Sequence, residues 1–445
     1  MKREHVMERS IERVVDLTDA SANRLRGMTV EEARARVARG DPGEVRGIEG
    51  SYALVAVSGQ TARMARSLDR PLRYFLAKQT DGPLLVAADR IDAIRAFLDG
   101  AGMVGQFHPT YTRMVPAHHV LSLDLIGCPD PDASYVRFLE PAPETLPADT
   151  AEIGRRYVQA LADEIAAWVE SIPPREPIGV SFSGGVDSGA VFLVAYHVLL
   201  RLGISPARLK AFTLSAGAGR DLAQARRFLS DLSLELFLEA IETAPEALDP
   251  FEAVRVVEDY KPLDVEAAAA GLALARGIRE RYPDWRFLLD GDGGDENLKD
   301  YPIEENTELT IRSVIGNPLL YQEGWGVGKL KHSLTYTGGQ SRSCTRTYAP
   351  LRQYGFEGFS PFMRPRLVEL AAAIPFSALT GHDVGRLYAL KGEIVARGVR
   401  EVTGIPMPVY PKRRFQHGAL AQGGETARFP NREADYRAHF ESLYA

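Results

Sequence analysis

Two textures of hydrophobic and polar positions divide this chain. Up to about residue 140 the apolar residues come in short alternating runs: SYALVAVSG from Ser51, LRYFLAK from Leu72, PLLVAAD from Pro83 and HHVLSLDL from His118. Each is bounded by Gly, Pro or Asp, which predicts strands of an antiparallel sheet. TVEEARARVAR, Thr29 to Arg39, reads as a short helix with an acidic first turn, and DRIDAIRAFLDG from Asp89 as a second helix. The stretch EPAPETLPADT, from Glu140, has three prolines and little apolar content, and predicts a linker.

Beyond the linker the period lengthens. From Ala151 to Ser171 the apolar residues Ile153, Tyr157, Leu161, Ile165 and Trp168 fall at helical spacing. A strand follows (IGVSFSGG, ending in glycines), then a helix from about Ser188 to Leu202. LKAFTLSA from Leu209, DLAQARRFLSDL and ELFLEAI continue as strand, helix and strand, and AAAAGLALARGIRERY leads as a helix into FLLDGDGGDE, a fourth strand ending in an acidic loop. Strands alternating with helices of this length predict a parallel sheet covered on both faces.

At 445 residues the chain is too long for one compact core, so two domains are expected, residues 1–145 and 146–445. A net charge of -6 argues against a nucleic-acid partner. Two cysteines, Cys128 and Cys344, are too few for a disulfide framework and suit a reducing compartment. The charged start MKREHVMERSIERVV holds no apolar signal, and the longest apolar stretch, Gly189 to Leu200, falls well short of the roughly 20 residues needed to span a bilayer. The expectation is a soluble, cytoplasmic protein without a membrane partner.

Ser183-Gly184-Gly185-Val186-Asp187-Ser188 lies between a predicted strand and a predicted helix. The glycines let backbone N–H groups approach an anion, and the helix amino terminus adds partial positive charge. The hydroxyls of Ser183 and Ser188 can donate to phosphate, and Asp187 can hold a Mg²⁺ ion. No Gly-Lys-Ser/Thr follows, so the loop is not of the Walker type. The plainer reading is a Ser/Gly turn that only caps a helix. Asp187 and Asp295 both end predicted strands, where open α/β sheets bind ligands.

With these motifs the chain resembles the PP-loop ATP pyrophosphatases, specifically the asparagine synthetase B family and its relative β-lactam synthetase. LKAFTLSAGAGRDLAQARRFL is similar to that family's second strand and the helix beyond it, and LLDGDGGDEN to its second acidic motif. CTRTYAPLRQYGFEGFSPF from Cys344 resembles a later helix, and PKRRFQHG from Pro411 the carboxy-terminal lysine motif. The resemblance implies an α/β fold: a parallel-sheet PP-loop synthetase domain, preceded by a smaller, mostly antiparallel α+β domain of the Ntn-hydrolase kind.

It also implies roles. Ser183, Gly184, Gly185, Asp187, Ser188 and Gly293 would bind ATP and its pyrophosphate, with Mg²⁺ on Asp187 and Asp295. Lys412 would face the departing pyrophosphate and serve the acyl-transfer step; the alternative is a solvated basic run with Arg413 and Arg414. Asp292 and Glu357 match two acidic positions near the reacting carbonyl, although Glu357 could instead tie down a helix end. Glu266, with Asp264 and Lys261 nearby, falls where asparagine synthetases carry an arginine suited to an amino-acid carboxylate. An acid there fits an amine-bearing substrate and disfavours aspartate; the plain alternative is a Glu266–Lys261 pair.

IEGSYALVAV, SLDRPLRYFLAK, AADRIDAIRAFL and VPAHHVLSLDL resemble, in order, pieces of the family's glutaminase domain. That domain uses an amino-terminal cysteine, whereas residue 2 here is Lys and the first cysteine is Cys128. A degenerate scaffold that does not hydrolyse glutamine is expected. The function that follows is an ATP-dependent, AMP-forming ligase joining a small carboxylic acid to ammonia or an amine, possible as a homo-oligomer. The alternatives are intramolecular amide closure, as in β-lactam synthesis, and a non-catalytic nucleotide-binding homologue.

Overall fold

The computed structural model describes residues 9–77, 83–128, 133–217, 219–300, 303, 310–316, 344–410, 418–420, 428–429 and 432–445. Of these, the residues up to Glu140 and Glu441–Ala445 form one unit, and those from Pro141 to Phe440 a second.

In the first unit, helix α1 (Val30–Arg39) starts on a capping box in which Thr29 and Glu32 satisfy each other's backbone N–H groups. Strands β2 (Ala53–Ser58), β3 (Thr61–Arg66), β7 (His119–Asp124) and β8 (Ala133–Arg137) make an antiparallel sheet in the order β8-β7-β3-β2. A second sheet has the order β1-β5-β4-β6, from β1 (Arg13–Asp16), β4 (Arg73–Ala77), β5 (Leu84–Ala88) and β6 (Arg113–Met114). Its β1–β5 pair is parallel, the one departure from the antiparallel expectation in these two sheets. Alternation along β4 and β5 explains the layering. Tyr74 and Leu85 join Val55, Met64 and Leu121 of the other sheet in one core, while Phe75 and Val86 face the opposite way, onto Ile94 and Leu98 of α2 (Ile91–Gly100). Strands β3 and β8 escape a reading by apolar pattern because arginines and serine interrupt them (TARMAR, ASYVR).

The second unit is a mixed α/β structure on a five-stranded, wholly parallel sheet. Its strands are β9 (Ile178–Ser181), β10 (Leu209–Ala216), β11 (Leu238–Thr243), β12 (Phe287–Leu289) and β13 (Glu357–Phe359), in the order β11-β10-β9-β12-β13. β10 is almost wholly buried, as a strand covered on both faces must be. Among its helices are α3 (Thr150–Ser171), α4 (Val186–Arg201), α5 (Arg220–Ser230), α6 (Pro250–Val257), α7 (Pro262–Arg281), α8 (Gly294–Leu298), α9 (Ala349–Gln353), α10 (Pro365–Ala372) and α11 (Val384–Thr403). α3, α4 and α11 pack on one another, whereas α7 packs on α6 and lies along β10 and β11. Within the predicted linker, the N–H groups of Glu144 and Leu146 donate to the carbonyls of Ala372 and Ala373, at 3.1 and 2.9 Å.

Chain order makes β9 central: β10 and β11 build outward on one side, β12 and β13 on the other. The loops after β9 and β12 therefore leave in opposite directions. The crevice between them, at the carboxyl ends of the strands, is where such sheets bind ligands.

Candidate functional site

Strand β9 delivers the chain to Ser183, and α4 begins at Val186 with Gly185 as its cap. Gly184 turns the corner in the left-handed region at φ 70°, and a Cβ there would come within 3.0 Å of the Ala225 backbone. A side chain would be strained and obstructed at once. No side chain caps α4, so its amino terminus faces the crevice. The Ser183 N–H donates to Ser188 Oγ at 3.2 Å, and the two hydroxyls lie 3.2 Å apart. Loop, helix start and both hydroxyls thus converge at one corner of the sheet.

Asp187, in the first turn of α4, and Asp295, in the first turn of α8, are also brought together. Between them stands Lys391 of α11. Its Nζ donates to Asp187 Oδ2 at 2.5 Å, binds Asp295 Oδ1, and lies 3.3 Å from Asp300 Oδ2. At 4% exposure this ammonium is buried. Burial alone would lower its pKa, but the charges of Asp187, Asp295 and Asp300 outweigh it and hold the group well above the usual lysine range. A Cβ on Gly294 would strike the Asp187 carboxylate, and one on Gly291 would come 2.9 Å from Asp187 Cβ. The glycines after β12 thus leave the room that Asp187 occupies.

Sequence pattern missed Lys391, although it carries a signal. α11 buries Leu387, Leu390, Ile394 and Val395, and a lysine lies on that apolar stripe. Two glycines bring it to the site. A Cβ on Gly154 of α3 would meet the carbonyl oxygen of Ile394, and one on Gly398 the carbonyl oxygen of Gly154, so the helices touch backbone to backbone.

Could the residues hold Mg²⁺? Among the described residues no three His, Cys, Asp or Glu side chains are grouped so as to hold a metal alone. Mg²⁺ characteristically takes one or two carboxylates and completes its shell with water and phosphate oxygens. Asp187 and Asp295, converging beside the phosphate loop, fit that donor set.

A second cluster lies along the loop after β12. Asp290 is buried; its Oδ1 accepts from the Asp292 N–H at 2.9 Å and its Oδ2 from the Ser360 hydroxyl at 2.9 Å. The Thr347 hydroxyl donates to Asp292 Oδ2 at 2.9 Å. Burial first, then the charges of Asp290 and Glu296, push the Asp292 carboxyl well above the ordinary range, against the pull of Arg346 and Thr347. Arg346 donates to Asp264 Oδ1 at 3.2 Å and lies 3.5 Å from Glu296. Asp264 is therefore committed to an arginine that sequence reasoning left without a role. Gly293, at φ 93°, provides the turn into α8.

Other predicted residues are placed apart. Glu357 is the first residue of β13, opposite Phe287, at the amino-terminal edge of the sheet; it accepts from Arg286 at 2.8 Å. The phosphate loop leaves the opposite edge, so the structure does not bring Glu357 to Asp292. The segment read as a helix there turns into an edge strand. Glu266 is half-buried on α7, two residues past Asp264 and so on a different face of that helix. Lys412 lies outside the described residues. On one side of it, the Tyr410 hydroxyl donates to Asp231 at 2.7 Å; on the other, the Ala216 N–H at the end of β10 donates to the Ala419 carbonyl at 2.8 Å.

Among the described residues no helix is long and apolar enough to cross a membrane. No curated protein matches the chain. Residues 168–341, which carry the phosphate loop, the central strands and the acidic loop, match the family model of asparagine synthase. Residues 168–341, with the glycine-rich turn at the switch point of the parallel sheet, therefore form an asparagine synthase-type domain, a kind of domain found in ATP-dependent ligases that form carbon–nitrogen bonds.

Proposed function

We propose that this protein activates a carboxylic acid with ATP as an acyl-adenylate and passes the acyl group to ammonia or an amine. A carboxylate oxygen attacks the α-phosphorus and pyrophosphate leaves. The amine then attacks the acyl carbon, loses a proton, and AMP departs. The observation that carries this reading is the convergence of Asp187, Asp295 and Lys391 beside the loop Ser183–Ser188. Such a site faces the β- and γ-phosphates as one leaving group. Mg²⁺ held by Asp187 and Asp295 would supply charge neutralisation of that pyrophosphate. Lys391 is the cation toward which its charge grows, and Lys412, which the resemblance assigns to the same task, is proposed as a second.

Asp292, with its raised carboxyl and the Thr347 hydroxyl, is the group suited to orient the amine and take its proton. Glu357 has no part in this scheme. Asp264, in the first turn of α7, belongs to the rim that selects the acid, and negative charge there disfavours aspartate; Glu266, on another face of α7, is not assigned to it. The first unit is read as a glutaminase-like scaffold, and ammonia or an amine rather than glutamine is proposed as the nitrogen source.

Phosphorus NMR of a reaction mixture with Mg²⁺, ATP, an acid panel and ammonia or amines tests the reading. AMP and pyrophosphate are expected, both lost in Asp187→Asn and Asp295→Asn while the fold is kept. With glutamine in place of ammonia, no glutamate is expected above background. ADP and phosphate as products would sink the proposal.

A further inference from the structure

The acid-lined rim contains a carboxylate that nothing above employs. Asp259 lies between α6 and α7, on the strand-end side of the sheet where α7 begins, and is 1% exposed. Its Oδ1 accepts from the backbone N–H groups of Tyr260 and Lys261, at 2.7 and 3.2 Å, which fixes the side chain. Its Oδ2 is buried and, among the described residues, has no hydrogen-bond partner. Leaving one oxygen of a buried carboxylate unmatched is costly unless a donor arrives.

The neighbours point the same way. Asp264, in the first turn of α7, is near enough for its charge to bear on Asp259, and Lys261 acts on it without an ion pair among the described residues. The guanidinium next along, Arg346, is engaged by Asp264 and Glu296 and leads to Asp292. Among the described residues Asp264 is thus engaged by Arg346, while Asp259 beside it has only the charge of Lys261 set against that of Asp264.

We propose that Asp259, backed by Asp264, seats an ammonium group carried by the carboxylic acid that the enzyme activates. A primary ammonium brings three donors and one positive charge, which supplies Oδ2 with a donor and offsets the repulsion between Asp259 and Asp264. The substrate class is then an amino-bearing carboxylic acid, with Asp259 rather than the half-buried Glu266 as the anchor. Burial raises the Asp259 carboxyl, Lys261 lowers it and Asp264 raises it further, so a bound cation would also hold it ionised. This inference rests on the reading of the site as one that activates a carboxylate.

Asp259→Asn separates the two oxygens' roles, because asparagine keeps an acceptor for Tyr260 and Lys261 while replacing Oδ2 with a donor. The full chain is assayed by ATP–pyrophosphate exchange, which reports activation of the acid alone. β-Alanine is compared with butyrate and γ-aminobutyrate with valerate, acids alike except for ammonium in place of methyl. Exchange is expected with the amino acids and not with the fatty acids. In Asp259→Asn, kcat/KM for the amino acids should fall roughly tenfold or more, mostly through KM, the cost of losing a hydrogen bond to a charged group. Thermal shifts provide a readout without turnover: γ-aminobutyrate should stabilise the native protein more than valerate does, and the variant should lose that difference.

Equal exchange or equal shifts in the native protein and the variant, or valerate matching γ-aminobutyrate, would overturn the ammonium site and leave the ligase reading standing. Exchange with no acid and no AMP from any mixture would overturn the ligase reading itself. If the variant does not fold, the paired acids on the native protein decide.

Discussion

One side chain, Lys391, holds the cluster of Asp187, Asp295 and Asp300 together. Its ammonium stands among three aspartates in a place water scarcely reaches, so its removal leaves like charges facing one another in low dielectric. Lys391→Met is therefore expected to lower the melting temperature without metal, and Mg²⁺ should restore more stability to the variant than it adds to the native protein. The adenylation rate should fall about a hundredfold or more, the scale for removing a donor aimed at developing charge. Thermal melts with and without Mg²⁺, beside single-turnover AMP release, check both parts. A variant whose melt ignores Mg²⁺ would contradict the shared use of these aspartates.

At the scale of elements, the site depends on how closely α11 lies on α3. Gly154 and Gly398 let the backbones meet, and Thr150 then bonds Glu393 at 2.7 Å and Arg397 at 3.1 Å across the same contact. Lys391 is two turns before Gly398 on that helix, so any widening moves the ammonium relative to Asp187. Gly398→Ala should destabilise the protein by about 1–3 kcal/mol, the usual cost of overpacking. It should also reduce adenylation by more than that loss explains. Denaturant melts and exchange kinetics on the same preparation measure the two effects; a variant with native kinetics would show that the crossing does not place the lysine. The short strand β13 supplies the opposite lesson. It carries Glu357 to the wrong end of the sheet for chemistry, and there an exposed Arg286 meets it.

For the molecule as a whole, the folding equilibrium is expected to weaken in mild acid through the first unit. His118 and His119, at the start of β7, are buried. Burial, and next the charge of Arg137, holds His118 well below the ordinary histidine range; burial likewise brings His119 down to about 4, although the Ala117 carbonyl opposes the shift. Both bases have folded-state pKa values below their unfolded ones. The unfolded chain therefore binds more protons below about pH 6.5, and stability falls as pH drops from there toward 4. At pH 5 the His119 share is roughly 2 kcal/mol. Melting temperatures of the native protein and of His119→Gln between pH 7.5 and 4.5 test this; the variant's curve should be flatter on the acid side, and parallel curves would refute it.

The sequence by itself determined the two textures, the alternation of strands and helices in the second unit, and the glycine-rich strand-to-helix turn at Ser183–Ser188. Local rules suffice there: glycines at a strand-to-helix turn, acids at strand ends, apolar residues at a fixed period. It likewise placed Asp187 and Asp295 at the same edge, since both follow strands of one parallel sheet. Tertiary structure alone decided that Lys391 joins them, because a lysine about two hundred residues away meets Asp187 only once α11 packs on α3 and α4. It also decided that Asp264 pairs with Arg346, that Glu357 stands apart, and that Asp259 keeps a buried oxygen without a partner among the described residues. Those facts depend on which charges burial brings face to face, and spacing along a chain carries no record of that.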